Sequence, residues 1–231
     1  PHAPEALKAI EELDAASNQH DSSRQDGLQI CYSAIEAKQW QLACDQLRRL
    51  QDRVDPIRWT AAICELPEQW QAEFGDPSTY APTRLVQTTQ LFDHNDGLLT
   101  TLIKDIRNHD SLVWNRAGKP TREGFQTHEM LAGSRLPAVQ TLSQALKTAL
   151  RNYIDHGPNL PRPVQPDPES LSGWAVILKP SGFQKRHIHP EASISGVFYL
   201  SVDETTESET LPDGNLMFST PTPLQVPPKA G

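Results

Sequence analysis

Twelve of the chain's twenty prolines lie in residues 158–231, and that clustering constrains the fold more than any other feature. Proline removes a backbone donor and clashes with the preceding helical turn, so a segment this rich in it cannot be built from packed helices. The residues before it carry helical periodicity, and those after it carry short apolar runs between Pro and Gly turns. The expected class is therefore α+β, with helices first and a β region from about residue 172.

In the first part, PEALKAIEELDAA places Leu7, Ile10 and Leu13 on one stripe, with Pro4 where a first turn tolerates it. After the SNQHDSSRQDG break come Ile30 and Ile35, then QWQLACDQLRRLQDR with Leu42, Leu47 and Leu50, a run closed by Pro56. Helix, loop, helix of this length is the shape of a helical-repeat unit, but no second copy recurs at a fixed period. Residues 1–75 thus read as a helical region packed on a second domain, 76–231. In the first, WTAAICELPEQWQAEFGD reads as a short helix and turn; in the second, TRLVQT, 83–88, reads as a strand. NDGLLTTLIKDIRN offers Leu98, Leu99, Leu102, Ile103 and Ile106 as a helical face over 96–108, with Asp96 as its cap. VWNRAGKPTREGFQTHEM reads as a polar loop, and Val139, Leu142, Leu146, Leu150 and Ile154 mark a long helix over 137–154 that buries a continuous stripe.

In the second part, WAVIL reads as a strand buried on both faces, PSG as a turn, and FQKRHIH as a strand of period two. That parity puts His187 and His189 on one face. SGVFYLSV and GNLMFS read as further strands, separated by the acidic loop DETTESET and the turn PDGN. Short strands between such turns suggest a sandwich or jelly roll rather than a parallel sheet.

Charge and cysteine usage exclude several functions. With 29 Asp plus Glu against 21 Lys plus Arg, the net charge is -8 and no dense basic stripe offers itself to phosphates, so a nucleic-acid partner is not expected. The longest apolar run is WAVIL, far short of a membrane span, so no membrane partner is expected and the expected location is cytoplasmic. Cys31, Cys44 and Cys64 lack the spacing of a disulfide framework or zinc ribbon and read as small core residues.

Two imidazoles at alternate positions, followed by Pro190 and Glu191, are suited to a metal in two ways. His187 and His189 can converge from one strand, or His189 and Glu191 can form a His-x-carboxylate pair; either is part of a two-histidine, one-carboxylate triad, which suits Fe(II). The residues alone leave both open.

GWAVILKPSGFQKRHIHPEASISGVFYL followed by GNLMFSTP resembles the core motif of a 2-oxoglutarate/Fe(II) oxygenase family that often sits downstream of tetratricopeptide-like helical repeats. GKPTREGFQTHEM resembles that family's G-K-x-T-x-x-G-x-Q-T segment, so the resemblance runs from about Tyr80 to Pro221. It implies a double-stranded β-helix of the jelly-roll, cupin-like kind, Fe(II), and 2-oxoglutarate as cosubstrate, in a dioxygenase that hydroxylates its substrate. His189 becomes the first metal ligand, with His187 and Glu191 as alternatives for the second. Tyr199 and Ser195 become candidates for binding 2-oxoglutarate, Gln126 and Thr127 for supporting the site from behind or for the substrate edge, and Trp174 reads as a core residue.

The family's distal His and the Arg that grips the cosubstrate have no counterpart here, because no His follows His189 and no Arg follows Arg186. With Pro1 at one end and TPTPLQVPPKAG at the other, the expectation is a fragment whose C-terminal strands are missing and which is inactive as it stands. The alternative is a helical-repeat interaction protein, binding a protein or peptide through its helices and carrying a catalytically silent jelly roll. A cupin-like sugar-processing or metal-storage domain is a third reading, less suited to the S-G-V-x-Y-L element.

Overall fold

A computed structural model describes residues 23–93, 95–157, 166–187, 189, 192–202, 214–218 and 224–231. The chain divides into two compact units, one built mainly from the residues up to Gln87 and the other from Thr88 onward. The described residues are mixed α and β, as the periodicity implies. The amphipathic stripe of PEALKAIEELDAA lies outside them, as do Glu191 and the DETTESET loop. Among the described residues no helix is long and apolar enough to cross a membrane.

The first unit is a helical hairpin with further helices against it: α1 (Ser23–Glu36), α2 (Trp40–Leu50), α3 (Pro56–Cys64), and the short α4 (Glu68–Gln71) and α5 (Pro82–Leu85). Small side chains let α1 and α2 approach closely. Ala34, Ala43, Cys31 and Cys44 are fully buried, and a Cβ on Gly27 would meet Leu50 Cδ2 at 2.7 Å. Pro56 does not merely stop α2; it occupies the first position of α3, where its missing N–H is no loss. Trp59 Nε1 donates to the Leu47 carbonyl at 2.8 Å, and its ring meets Phe74 edge-on at 5.6 Å. Burial pushes the thiols of Cys31 and Cys64 up to about 12 and that of Cys44 to about 11, so all three are inert core residues. TRLVQT is not a strand. Pro82 starts α5, and the amides of Arg84 and Val86 turn back to the carbonyls of Ala81 and Pro82 at 2.9 Å, so the segment opens as a helical turn.

The second unit packs α6 (Gly97–Arg107) and α7 (Pro137–His156) with a three-stranded antiparallel sheet, β1 (Val113–Trp114), β2 (Thr121–Gln126) and β3 (Val176–Gln184), in the order β1-β2-β3. Asp96 caps α6 as its sequence implies, Oδ1 accepting from the Leu98 amide at 2.8 Å. Leu102, Ile106, Met130, Ala138, Val139 and Leu142 form the core, joined by Ile177, Phe198 and Leu200. The stripe on α7 is buried only over its first half; Leu146, Leu150 and Ile154 are half-buried.

Four expectations for this region change. The polar loop is a hairpin: β1 and β2 pair through Val113↔Gln126 and Trp114↔Phe125. WAVIL is not buried on both faces, since β3 begins at Val176 and Leu178 is exposed. PSG does not separate two strands. It is an excursion within β3, where the register passes from Arg122↔Phe183 to Gly124↔Leu178 and Lys179 to Gly182 lie opposite Glu123 alone. Glu123 takes a positive φ of 49 there and accepts a hydrogen bond from Ser181 Oγ. Finally, FQKRHIH leaves the strand at Gln184, and 192–202 contains no strand, so SGVFYLSV is irregular chain; its Phe198 and Leu200 face the core, but among its backbone groups Tyr199 pairs with the Gly231 amide. GNLMFS does contain a strand, β4 (Leu216–Phe218), which pairs with β5 (Leu224–Val226) inside what reads as a loop. The double-stranded β-helix is not among the elements described.

The excursion depends on backbone proximity. A Cβ on Gly124 would lie 2.8 Å from the Ile177 carbonyl oxygen and 2.9 Å from Leu178 Cδ2. Gly124→Ala is therefore expected to destabilise the second unit by about 1–3 kcal/mol, through overpacking against backbone. Urea unfolding followed by circular dichroism measures it, and an unchanged midpoint would contradict the pairing.

Candidate metal centre

Beyond Gln184 the chain is no longer held by the sheet, yet His187 and His189 converge. Their ring centroids are 4.9 Å apart and their planes stand at 77°. What positions His187 is a relay through Lys185. The Lys185 amide donates to the Pro120 carbonyl at 3.0 Å, and the Lys185 carbonyl lies 2.7 Å from His187 Nδ1. A carbonyl can only accept, so Nδ1 carries the proton and the neutral ring presents the lone pair of Nε2. Metal-bound imidazoles are characteristically fixed this way.

His189 is held differently. Its ring lies 5.6 Å from the Trp174 ring, tilted by 41°, and is half-buried while His187 is exposed. Burial first, then repulsion from His187 when it is protonated and from Lys119, hold His189 below the ordinary imidazole value of 6.5.

The donor set can be tested against an ion. With each donor nitrogen about 2.1 Å from a shared metal, each centroid sits about 3.2 Å from it, giving about 4.6 Å between centroids for a right angle and about 5.3 Å for a tetrahedral one. The observed spacing falls between these values. That spacing is compatible with two adjacent positions on a divalent ion and is equally that of an edge-to-face ring pair. Among the described residues no group of three or more His, Cys, Asp or Glu is gathered, and Glu191, the carboxylate candidate, lies outside them.

The other expected site residues have surroundings of their own. Tyr199 is half-buried, its hydroxyl donates to the Gly214 carbonyl at 3.0 Å, and burial raises its pKa. Ser195 is exposed. They do not share a strand face, because their segment is not a strand. Gln126 and Thr127 are fully buried rather than at a substrate edge. Thr121 Oγ1 donates to Gln126 Oε1 at 2.9 Å, and Thr127 Oγ1 accepts from the Ala175 amide at 2.9 Å. Trp174 is the residue sequence reasoning misplaced: it is 42% exposed and covers His189 instead of filling the core. Lys119 was missed as well. It sits in the hairpin turn, one residue before the Pro120 carbonyl that anchors Lys185. The GKPT turn was visible in the sequence, but the pairing that brings it to the histidines was not.

Two outcomes follow in solution. Nitrogen-15 NMR at neutral pH is expected to show His187 as the Nδ1–H tautomer; the Nε2–H form would contradict the Lys185 contact. His189 is expected to titrate below 6.5, and Lys119→Gln to move it upward. Because the unfolded chain then binds that proton more tightly than the folded one, this group withdraws stability as pH falls through the imidazole range. A titration at or above the ordinary value would contradict the burial.

No curated protein and no solved structure matches the chain. The segment carrying Trp174, the imidazole pair, Ser195 and Tyr199 does have a counterpart: residues 172–229 match the family model described as "Putative 2OG-Fe(II) oxygenase", the family its motifs resemble.

Proposed function

We propose that this chain carries the imidazole half of the metal site of an Fe(II)- and 2-oxoglutarate-dependent dioxygenase. The observation supporting it is the pair of rings at 4.9 Å, with His187 Nδ1 committed to a carbonyl, inside the segment that matches an oxygenase family. In this reading His189 and His187 each present one nitrogen to the ion, and Glu191 is the carboxylate candidate. Fe(II) and 2-oxoglutarate, when bound, would supply with O2 the oxidation, one oxygen atom entering succinate as 2-oxoglutarate loses CO2 and the other converting a substrate C–H bond to C–OH.

The chain's own residues orient and shield. The Lys185 carbonyl fixes the His187 tautomer, Trp174 excludes water from one side of His189, and Lys119 adds positive charge that favours an anionic cosubstrate nearby. Tyr199 and Ser195 remain the candidates for the cosubstrate's oxygens. The Tyr199 hydroxyl donates its proton to Gly214, which leaves its oxygen able to accept but not to donate. In the oxygenase a second group must then supply the donor, and Ser195 is suited to that. A double-stranded β-helix completed by further strands, with a distal His and Arg, is the architecture in which this half-site would turn over.

Anaerobic addition of Fe(II) and 2-oxoglutarate is expected to produce the visible charge-transfer absorption of a chelated keto acid. His189→Ala and His187→Ala are each expected to weaken Fe(II) binding by more than about 100-fold, beyond the loss typical of supporting residues. Absorption unaffected by either substitution would refute the assignment. No Fe(II) uptake by the unaltered chain would favour the helical interaction protein with a catalytically silent β domain.

A further inference from the structure

An exposed tryptophan usually sits on chain that is free to adjust, but Trp174 does not. On its N-terminal side, the Gly173 amide donates to Glu129 Oε2 at 2.8 Å, and the Gly173 carbonyl accepts from the Met130 amide at 2.8 Å. On its C-terminal side, the Ala175 amide donates to Thr127 Oγ1 at 2.9 Å, and the Ala175 carbonyl accepts from the Thr127 amide at 3.0 Å. Thr127 is itself fully buried, and Glu129 also accepts the amides of Leu131 and Ala132 through Oε1. A Cβ on Gly173 would lie 2.5 Å from Leu131 Cδ1, so any larger residue here would displace the Leu131 side chain. Further upstream, Glu169 is paired with both Lys147 and Arg151 of α7.

Four hydrogen bonds on the two flanking residues are more than is needed to hold a loop, and they fix a large apolar side chain that stays 42% exposed. Among the described residues, the ring packed near that indole is that of His189. His189 itself stands two residues beyond His187, where the relay through Lys185 ends, on chain outside the sheet.

From this we propose that Trp174 is a positioning residue: an aromatic platform, clamped by the Thr127–Met130 segment, that sets the orientation of the His189 ring. The function of the buried Thr127 and of Glu129 is then to hold the platform rather than to meet substrate. The platform rests on geometry alone, whereas its consequence for metal affinity rests on the proposed oxygenase reading. An indole face restricts the imidazole and offers it no acceptor, so the unprotonated nitrogen of the neutral ring stays available to a ligand.

The test uses the whole chain and Co(II), a redox-stable probe for the divalent site, with Trp174→Ala and Trp174→Phe compared by visible absorption. Trp174→Ala is expected to weaken Co(II) binding about 10- to 100-fold, as loss of a supporting partner does, and Trp174→Phe to restore it to within about threefold. Equal Co(II) affinity and spectra for the Ala variant and the parent would overturn the proposal. If the parent takes up no Co(II), the oxygenase reading fails and the platform is judged on the metal-free protein by NMR. There Trp174→Ala must shift the His189 ring protons, assigned through His189→Gln, and leave those of His109 and His156 in place. Unmoved His189 signals would overturn it.

Discussion

The second unit depends on Thr127 holding Ala175. The Thr127 amide and hydroxyl engage the Ala175 carbonyl and amide in turn, extending the β2–β3 pairing one residue past Gln126↔Val176 and burying the threonine completely. From that point the chain runs one way into the sheet and the other toward Trp174. The histidines at the far end of β3 thus return to the residue that precedes β3, and the ring contact closes the circuit. Buried hydroxyls left unpaired would each cost about 1–3 kcal/mol, and here Thr121, Gln126 and Thr127 satisfy one another and the backbone.

The sheet and the hairpin turn act on the site together. Lys185 receives its position from Pro120 and passes it to His187, so the imidazole tautomer is set by the hairpin rather than by the strand that contains it in sequence. Gly124 and Gly182 make this possible. Each lies against carbonyl oxygens at a distance no side chain would allow, and the excursion of β3 opposite Glu123 absorbs four residues without ending the strand. A straight β3 would carry the histidines further along the strand axis, away from the Pro120 carbonyl.

How much of this the sequence displayed follows from the range of each interaction. Asp96 before Leu98, Leu99 and Leu102 is a local signal, and α6 forms where it says; the same holds for Leu42, Leu47 and Leu50 in α2 and for the three cysteines in the core. TRLVQT has strand composition, but Pro82 at a helix start and the absence of a pairing neighbour overrule it. PSG has turn composition, yet whether it turns or bulges is decided by Glu123 on another strand. SGVFYLSV looks like a strand for its apolar pattern, although its backbone finds no partner strand among the described residues. At the site, the two imidazoles and their family segment were legible; their convergence was inferred from strand parity and arises from Lys185 and Trp174 instead. Trp174 is the instructive case. Nothing within its neighbourhood in sequence reports a histidine fifteen residues away, and an apolar run invites reading it as core.

The central claim is that both rings present a nitrogen to the same point in space. X-ray absorption fine structure on the Fe(II)-loaded chain addresses it directly. The account predicts two imidazole scatterers on the metal in the unaltered protein and one in His187→Ala. A metal surrounded only by oxygen donors, or an imidazole count that His187→Ala leaves unchanged, would contradict it.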